Sequence, residues 1–131
     1  MFKSIGKLNY DNKKRRCVLL IDEGIAEFYR ALIPKAQSWQ RPRYRSHITV
    51  VRTGIENVSD KLWGYGKGMK IPFTYDPYIW IDHKYIFLDA FSPELEDVRE
   101  NLGLPRQRMP HPKGMDYSCF HITIANMKFE N

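Results

Sequence analysis

The tripeptide His-Ile-Thr occurs twice, at 47–49 in RSHITVVR and at 121–123 in CFHITIAN, each time within a short run rich in Val and Ile. In a chain of this composition, chance would place a threonine two positions after a histidine only about 0.1 times. The repetition therefore indicates two related units, and it constrains the fold more than any other feature of the chain.

The same series of predicted elements, a strand and then a helix, precedes each motif. In the first unit, approximately residues 17–53, the apolar strand CVLLI leads into an amphipathic helix with Asp22 as its N-cap. In the second unit, approximately residues 85–127, the strand YIFLDA leads into a helix that begins at Ser92-Pro93. A chain of 131 residues with 43% hydrophobic side chains can bury one sizeable core. The sequence therefore predicts a single domain over residues 1–131, built from two degenerate repeats.

The alternation of side chains along each motif strand separates an apolar face from a polar face. Successive strand residues point to opposite sides of a sheet, so His47 and Thr49 share the face opposite to that of the neighbouring Ile and Val. The second motif repeats this pattern with His121 and Thr123. If the two units form facing sheets, both polar pairs point into one cleft between two lobes. We therefore expect each unit to contribute one imidazole and one hydroxyl to a shared site.

Paired imidazoles favour proton transfer in both directions near neutral pH. With ordinary pKa values of about 6.5, one can act as a base while the other acts as an acid. Phosphodiester cleavage requires both roles, and Thr hydroxyls with nearby cations can bind the non-bridging oxygens as negative charge develops. A structural role in a strand would explain one motif, but it does not readily explain two. His83 and His111 lack a following Thr, and we do not expect them to be catalytic.

Metal binding is the competing use of paired histidines. No Asp, Glu or Cys recurs beside either motif to complete a ligand set. The two cysteines lack the CxxC spacing of a zinc knuckle, and we expect them to be free thiols. We therefore predict neither a metal nor another cofactor.

Charge and hydropathy limit the partners. The formal net charge is +6 and the isoelectric point is about 9.4, which favours an anionic partner such as a nucleotide or nucleic acid. The basic run 41–45 leads directly into the first motif, so we expect Arg45 to contact the substrate, whereas the basic run 13–16 is typical of a solvated turn. No segment has the apolar length of a signal peptide or a membrane helix. We expect a cytoplasmic protein that does not bind membranes.

The two His-Ile-Thr motifs, at 47–49 and 121–123, each follow a strand and a helix, and this order covers nearly the whole chain. In these features the sequence resembles the 2H phosphoesterases. The resemblance implies an α+β fold that is bilobal and pseudo-two-fold, with two facing antiparallel sheets and helices packed outside. It also implies metal-independent phosphodiester chemistry on RNA ends, 2',3'-cyclic phosphates or cyclic nucleotides.

Within that superfamily, FKSIGKLNYD and RPRYRSHITVVRTG resemble segments of the bacteriophage anti-CBASS phosphodiesterases, hydrolases that degrade the cyclic oligonucleotide alarm signals of bacteria. The resemblance implies a cyclic di- or trinucleotide substrate, a role in immune evasion and, for a phage protein, the host bacterial cytoplasm. It assigns His47 and His121 as the acid/base pair, with Thr49 and Thr123 as donors to phosphate oxygens. It also suggests two aromatics, one N-terminal and one in the middle strand, as base-stacking surfaces: Tyr10 and Trp80.

The segment YIWID gives a weaker indication from the residues themselves. Alternation places Tyr78 and Trp80 on one face and Ile79 and Ile81 on the other. If the isoleucines face the core, the aromatics face the cleft or solvent, where stacking on a base contributes about 1–3 kcal/mol. Packing of Trp80 beneath residues 63–70 is equally compatible with the sequence, as is packing for the N-terminal tyrosine.

Three functions remain open from the sequence. The first is an enzyme that cleaves cyclic di- or trinucleotides, and the second is an enzyme that acts on linear RNA or on 2',3'-cyclic phosphate ends. The third is a nucleotide-binding module without catalytic activity. The basic residues gather around the motif loops rather than along an extended track, which favours a compact ligand. No protein partner is indicated.

Overall fold

The computed structural model of the chain describes residues 1–34, 39–107 and 111–127. Within them lie two helices, α1 (Glu23–Arg30) and α2 (Pro93–Asn101). Neither helix has the length and apolar character needed to cross a bilayer. The described residues also form eight β-strands: β1 (Phe2–Asp11), β2 (Arg16–Leu20), β3 (Trp39–Gln40), β4 (His47–Val51), β5 (Lys70–Tyr75), β6 (Trp80–Ile81), β7 (Tyr85–Phe91) and β8 (Phe120–Met127).

Six of these strands close into a small antiparallel barrel. The order around it is β4, β2, β1, β5, β7 and β8, and β8 returns to pair with β4. The two short strands lie outside this ring, β3 on β8 and β6 on β7. The sequence β1, β2, α1, β4 in the first half matches β5, β7, α2, β8 in the second, and the two sets occupy corresponding positions around the barrel.

The expected bilobal α+β fold with two facing antiparallel sheets is wrong. The two three-stranded halves join at both edges, through the β1–β5 and β4–β8 pairs, and the described chain is mostly β with only two short helices. An unjoined half would present edge strands with unpaired backbone N–H and C=O groups, and barrel closure removes those edges. Side-chain alternation predicts which residues face inward, but it does not identify the partner of an edge strand.

The core is formed by the inward side chains of the barrel together with one face of each helix. The motif strands contribute Ile48 and Ile122, which are both fully buried. Helix α1 packs on β8, whereas α2 packs on β4 and β5. Both predicted helix starts are confirmed, because the Asp22 carboxylate accepts the N–H of Gly24 and the Ser92 hydroxyl accepts the N–H of Leu95.

Each helix also holds the motif strand of the other half through one arginine. Arg30 of α1 donates from Nη1 to the carbonyl oxygen of Ile124 at 2.8 Å, and Arg99 of α2 donates from Nη1 to that of Val50 at 2.7 Å. Ile124 and Val50 are the residues directly after the two motif threonines. Arg99 is 1% exposed and pairs with both carboxylate oxygens of Glu56, at 2.9 and 2.7 Å. These contacts fix the backbone of both motif strands.

Candidate active site

The register between β4 and β8 brings the two motifs together. Ile48 faces Ile122 in this antiparallel pair, so the same register sets His47 opposite Thr123 and Thr49 opposite His121. Because the two isoleucines point inward, the four motif side chains lie together on the outer wall of the barrel, each half-buried. We call these four residues the motif patch.

The expected cleft between two lobes is therefore replaced by one patch on a single curved sheet. Directly opposed residues of antiparallel strands have Cβ atoms about 4.5–5.5 Å apart, and diagonal neighbours about 7–8 Å apart. His47 and His121 are diagonal neighbours, and each imidazole has the threonine of the other motif across from it. This spacing allows both rings to reach one phosphate.

The hydrogen bonding of His47 suits a proton acceptor. Its Nδ1 lies 2.7 Å from the carbonyl oxygen of Arg45. A carbonyl oxygen only accepts, so Nδ1 carries the proton and Nε2 presents its lone pair. Burial lowers the pKa of His47 below its usual value, and the nearby charge of Arg16 acts in the same direction. The ring is therefore neutral near pH 7, as a general base must be.

The backbone that leads to His47 is held by helix α1. The Glu23 carboxylate accepts the Ser46 N–H and the Ser46 hydroxyl, each at 2.8 Å. The Arg45 side chain also approaches Glu23 at 3.8 Å, yet remains 63% exposed. The predicted substrate residue Arg45 is thus directed to solvent while its carbonyl oxygen orients the His47 ring.

A cavity of about 160 Å³ adjoins His47 on the side of β2. Arg16, Tyr44 and Arg45 line it, and the Arg16 guanidinium lies 4.4 Å from the centre of the Tyr44 ring. Two guanidinium groups and an aromatic ring beside the motif patch form a surface suited to a phosphate and a base.

Opposite this cavity, the patch borders a buried polar network around Asp89 of β7. Asp89 lies directly across from His121 in the β7–β8 register and is 2% exposed. Its Oδ2 accepts the indole N–H of Trp80 at 3.0 Å and the hydroxyl of Tyr117 at 2.6 Å. Its Oδ1 lies 2.8 Å from Nε2 of His111.

The tautomer of His111 follows from its second contact. The backbone N–H of Lys113 donates to His111 Nδ1 at 3.1 Å, so that nitrogen holds a lone pair. The proton is therefore on Nε2, which donates to Asp89, and the ring is neutral. A buried carboxyl group that accepts hydrogen bonds from three side chains is well satisfied.

The predicted aromatic residues divide between the outer wall and the interior. Trp80 faces Phe87 in the β6–β7 pair, and Phe87 faces Thr123 in the β7–β8 pair, so Trp80 lies on the motif side about 10 Å from Thr123 at the usual strand spacing. Tyr78 is 60% exposed, with its ring 4.7 Å from that of Trp80. Ile79 packs against the core, but Ile81 is 54% exposed, so the condition that both isoleucines face the core is not met.

Tyr10, the other proposed stacking residue, lies inside the barrel. It is 8% exposed, and its hydroxyl donates to the carbonyl oxygen of Tyr65 at 2.6 Å. The Trp63 ring packs against it at 4.9 Å. Arg45 therefore lies beside His47, and Trp80 lies on the motif side of the sheet with Tyr78 against it, whereas Tyr10 is separated from the motif patch.

The chain matches no family model, no curated protein and no solved structure.

Four side chains at the His121 edge could hold a metal ion. Asp89, His111, Cys119 and His121 each offer one ligand atom, and these atoms all lie within 4.8 Å of one another. The first three residues are buried, and His121 is half-buried. We call these residues the His121 cluster.

Three members of this cluster, Asp89, His111 and Cys119, were not predicted from the sequence as site residues. Asp89 lies in an otherwise apolar strand, which predicts a core position. His111 has no Thr two residues after it, so it was not expected to be catalytic. The available signals were an Asp in a run of core residues and the Cys119-x-His121 spacing in CFH. Neither signal indicates which distant loop approaches the strand, so the ligand set became visible only in three dimensions.

Proposed function

We propose that this protein is a metal-independent phosphodiesterase of the 2H type that cleaves cyclic oligonucleotide second messengers. The observation that carries the proposal is the β4–β8 register, which sets each motif histidine across from the other motif's threonine. Two histidines and two hydroxyls on the outer wall of the barrel supply a base, an acid and two donors to phosphate oxygens. A module that only binds nucleotides needs no such reciprocal pairing.

In the proposed reaction His47 is the base and His121 is the acid. Nε2 of His47 removes the proton from a ribose 2'-hydroxyl, whose oxygen attacks the adjacent phosphorus. The bond from phosphorus to the 5'-oxygen of the next nucleoside breaks, and His121 donates a proton to that oxygen. The immediate product is a linear oligonucleotide that ends in a 2',3'-cyclic phosphate, which water can then open.

The roles of the two histidines are supported by their surroundings. His47 has its Nδ1 proton held by the Arg45 carbonyl, and burial lowers its pKa, so it is ready to accept a proton at Nε2. His121 lies directly across from the buried Asp89 carboxyl group in the β7–β8 pair, so its imidazole has an acidic neighbour on the side away from His47. The hydroxyls of Thr49 and Thr123 donate to the non-bridging oxygens as charge develops there.

The surroundings of the patch favour a small ligand with two bases and a compact phosphate ring. On one side lie Arg16 and Arg45 around the cavity beside His47. On the other side lie Trp80 and the exposed Tyr78. These two flanks bracket the motif patch within a few strand spacings. By analogy with the anti-CBASS enzymes, the biological role would be removal of a bacterial alarm signal.

A panel of substrates in the presence of EDTA tests the proposal. The purified protein is incubated with cyclic dinucleotides, cyclic trinucleotides and 2',3'-cyclic AMP, and the products are resolved by chromatography. We expect cleavage of at least one cyclic oligonucleotide, with a 2',3'-cyclic phosphate as the first product. His47→Ala should slow cleavage by about 100-fold or more, whereas His83→Ala, a matched change at an exposed histidine outside the patch, should not.

A cyclic dinucleotide with 2'-O-methyl groups serves as the chemical control. It lacks the internal nucleophile, so the proposed mechanism forbids its cleavage. Rapid cleavage of this analogue would show direct attack by water. Opening of 2',3'-cyclic phosphates without cleavage of any cyclic oligonucleotide would instead support an enzyme that processes RNA ends.

A further inference from the structure

We propose that the His121 cluster is a zinc-binding site, and that zinc bound there switches off the motif patch. The site combines a carboxylate oxygen, two imidazole nitrogens and a thiol sulfur from Asp89, His111, Cys119 and His121. Four ligands of these types match the tetrahedral N, O and S sets that Zn²⁺ prefers. The inhibitory part of the proposal rests on the proposed function, whereas the binding part does not.

The spacing of the ligand atoms is close to that of a formed site. Zinc bonds of about 2.0–2.3 Å in a tetrahedron place ligand atoms about 3.3–3.7 Å apart. The cluster atoms already lie within 4.8 Å of one another, so the widest pair must close by about 1 Å. Side-chain rotations of the half-buried His121 can supply most of this movement, since its strand is fixed by barrel pairing on both sides.

Two hydrogen bonds hold the Asp89 carboxylate in place, as hydrogen bonds to the ligands do in known metal sites. The Trp80 indole and the Tyr117 hydroxyl both donate to Oδ2. They fix the plane of the carboxylate and leave Oδ1 directed at His111. Such second contacts orient ligands and raise metal affinity in known zinc sites.

Zinc binding requires a defined exchange of protons. In the metal-free arrangement the His111 Nε2 proton lies between that nitrogen and Asp89 Oδ1. For Nε2 to bind zinc, this proton must move to Nδ1, and the Lys113 N–H must leave Nδ1. The Cys119 thiol releases its proton to become a thiolate ligand. Loss of the Lys113 contact opposes binding, so we expect a reversible regulatory site rather than one that is permanently filled.

The functional consequence follows from the shared ligand. Zinc takes the place of one of the two protons of the His121 imidazolium, and the proton left on the other ring nitrogen is too weakly acidic to protonate a leaving oxygen, because its loss would form an imidazolate. Zinc and the acid role of His121 therefore exclude one another, and zinc should lower kcat until a chelator removes it.

Binding is tested on the full chain without any substrate. Zn²⁺ is titrated against a chromophoric chelator, and Co²⁺ is used as a spectroscopic probe because a cobalt–thiolate bond gives a near-ultraviolet charge-transfer band. We expect one Zn²⁺ for each chain and a charge-transfer band in the wild-type protein. Cys119→Ser should remove the band and weaken zinc binding by about 100-fold or more. Cys17→Ser, the same change at the other buried cysteine, should retain both.

A second variant protects the test against a folding defect. Thermal unfolding of each metal-free variant checks its fold, and His111→Gln should weaken zinc binding without removing the thiol. Absence of both zinc binding and the cobalt band in the wild-type protein would overturn the proposal. Equal zinc affinity of the Cys119 and Cys17 variants would overturn it as well.

The two proposals fail in different ways. Cluster-dependent zinc binding in a protein that cleaves none of the substrates would retain the site and reject the phosphodiesterase. Full activity of the zinc-loaded protein on a cyclic oligonucleotide would retain the binding site and reject inhibition through His121. Inhibition that disappears in EDTA and is absent in Cys119→Ser would support both.

Discussion

The buried Glu56–Arg99 pair should make a measurable part of the stability depend on pH. Burial alone would raise the pKa of Glu56, but hydrogen bonds and charge from Arg99 and Arg52 outweigh it and lower the pKa from 4.5 to about 2. A group with a lowered pKa in the folded state stabilises it above its unfolded pKa, and this contribution is lost as the pH falls towards the folded value. The stabilisation that Glu56 contributes is therefore lost as the pH falls from about 4.5 to about 2.

The size of the effect follows from the two pKa values. Each tenfold change in proton affinity is worth about 1.36 kcal/mol, so the full contribution of Glu56 is about 3 kcal/mol at pH 7. At pH 3 the folded carboxylate is still mostly ionised while the unfolded one is mostly protonated, so about 2 kcal/mol of this contribution has been lost. The Glu56 side chain is only 9% exposed, so solvent screens the pair weakly.

Urea unfolding of the wild-type protein and of Glu56→Gln at pH 7 and pH 3 tests this prediction. We expect the variant to be less stable by about 3 kcal/mol at pH 7, since it leaves a buried guanidinium without its charged partner. The difference between the two proteins should shrink by about 2 kcal/mol at pH 3. Asp60→Asn, which breaks the exposed Arg15–Asp60 pair, is the control and should change little at either pH. A wild-type and a Glu56→Gln protein that lose equal stability on acidification would refute the reasoning.

Three further predictions concern the site. Because burial lowers the pKa of His47 below 6.5 and the proposed base must be neutral, the acid limb of the kcat/KM profile should have its midpoint below 6.5, and a midpoint above that value would contradict the assignment. Trp80→Ala should weaken substrate binding by about 1–3 kcal/mol in a direct titration, and an unchanged dissociation constant in a folded variant would exclude stacking on Trp80. Tyr10→Phe should destabilise the fold by about 1 kcal/mol, through loss of its hydrogen bond to Tyr65, and leave KM unchanged. A large rise in KM would instead favour the substrate contact that the resemblance implies for Tyr10.

Local features of this chain could be predicted from its sequence, because they depend on nearby residues. Asp22 and Ser92 cap the helices as their positions indicated. Period-two alternation separated the inward Ile48 from the outward His47 and Thr49, and the structure has the same arrangement. These features follow from backbone geometry within a few residues.

Features that depend on strand partners could not be predicted in this way. Closure of the barrel through β4–β8 converts two expected lobes into one sheet, and no local pattern specifies that pair. The direction of Tyr10 depends on which face of β1 the barrel encloses. His111 reaches Asp89 from a loop 22 positions away, a contact that neither residue's neighbours reveal.

The central claim is that the two His-Ile-Thr motifs form one acid/base site, and a double-mutant cycle tests it most directly. The kcat/KM of wild type, His47→Ala, His121→Ala and the double variant would be measured in EDTA on the best cyclic oligonucleotide substrate. Two groups that serve the same transition state act as a unit, so each single variant should lose about 100-fold or more and the double variant little beyond that. Single variants that each keep about half of the wild-type activity would show two independent sites and contradict the account.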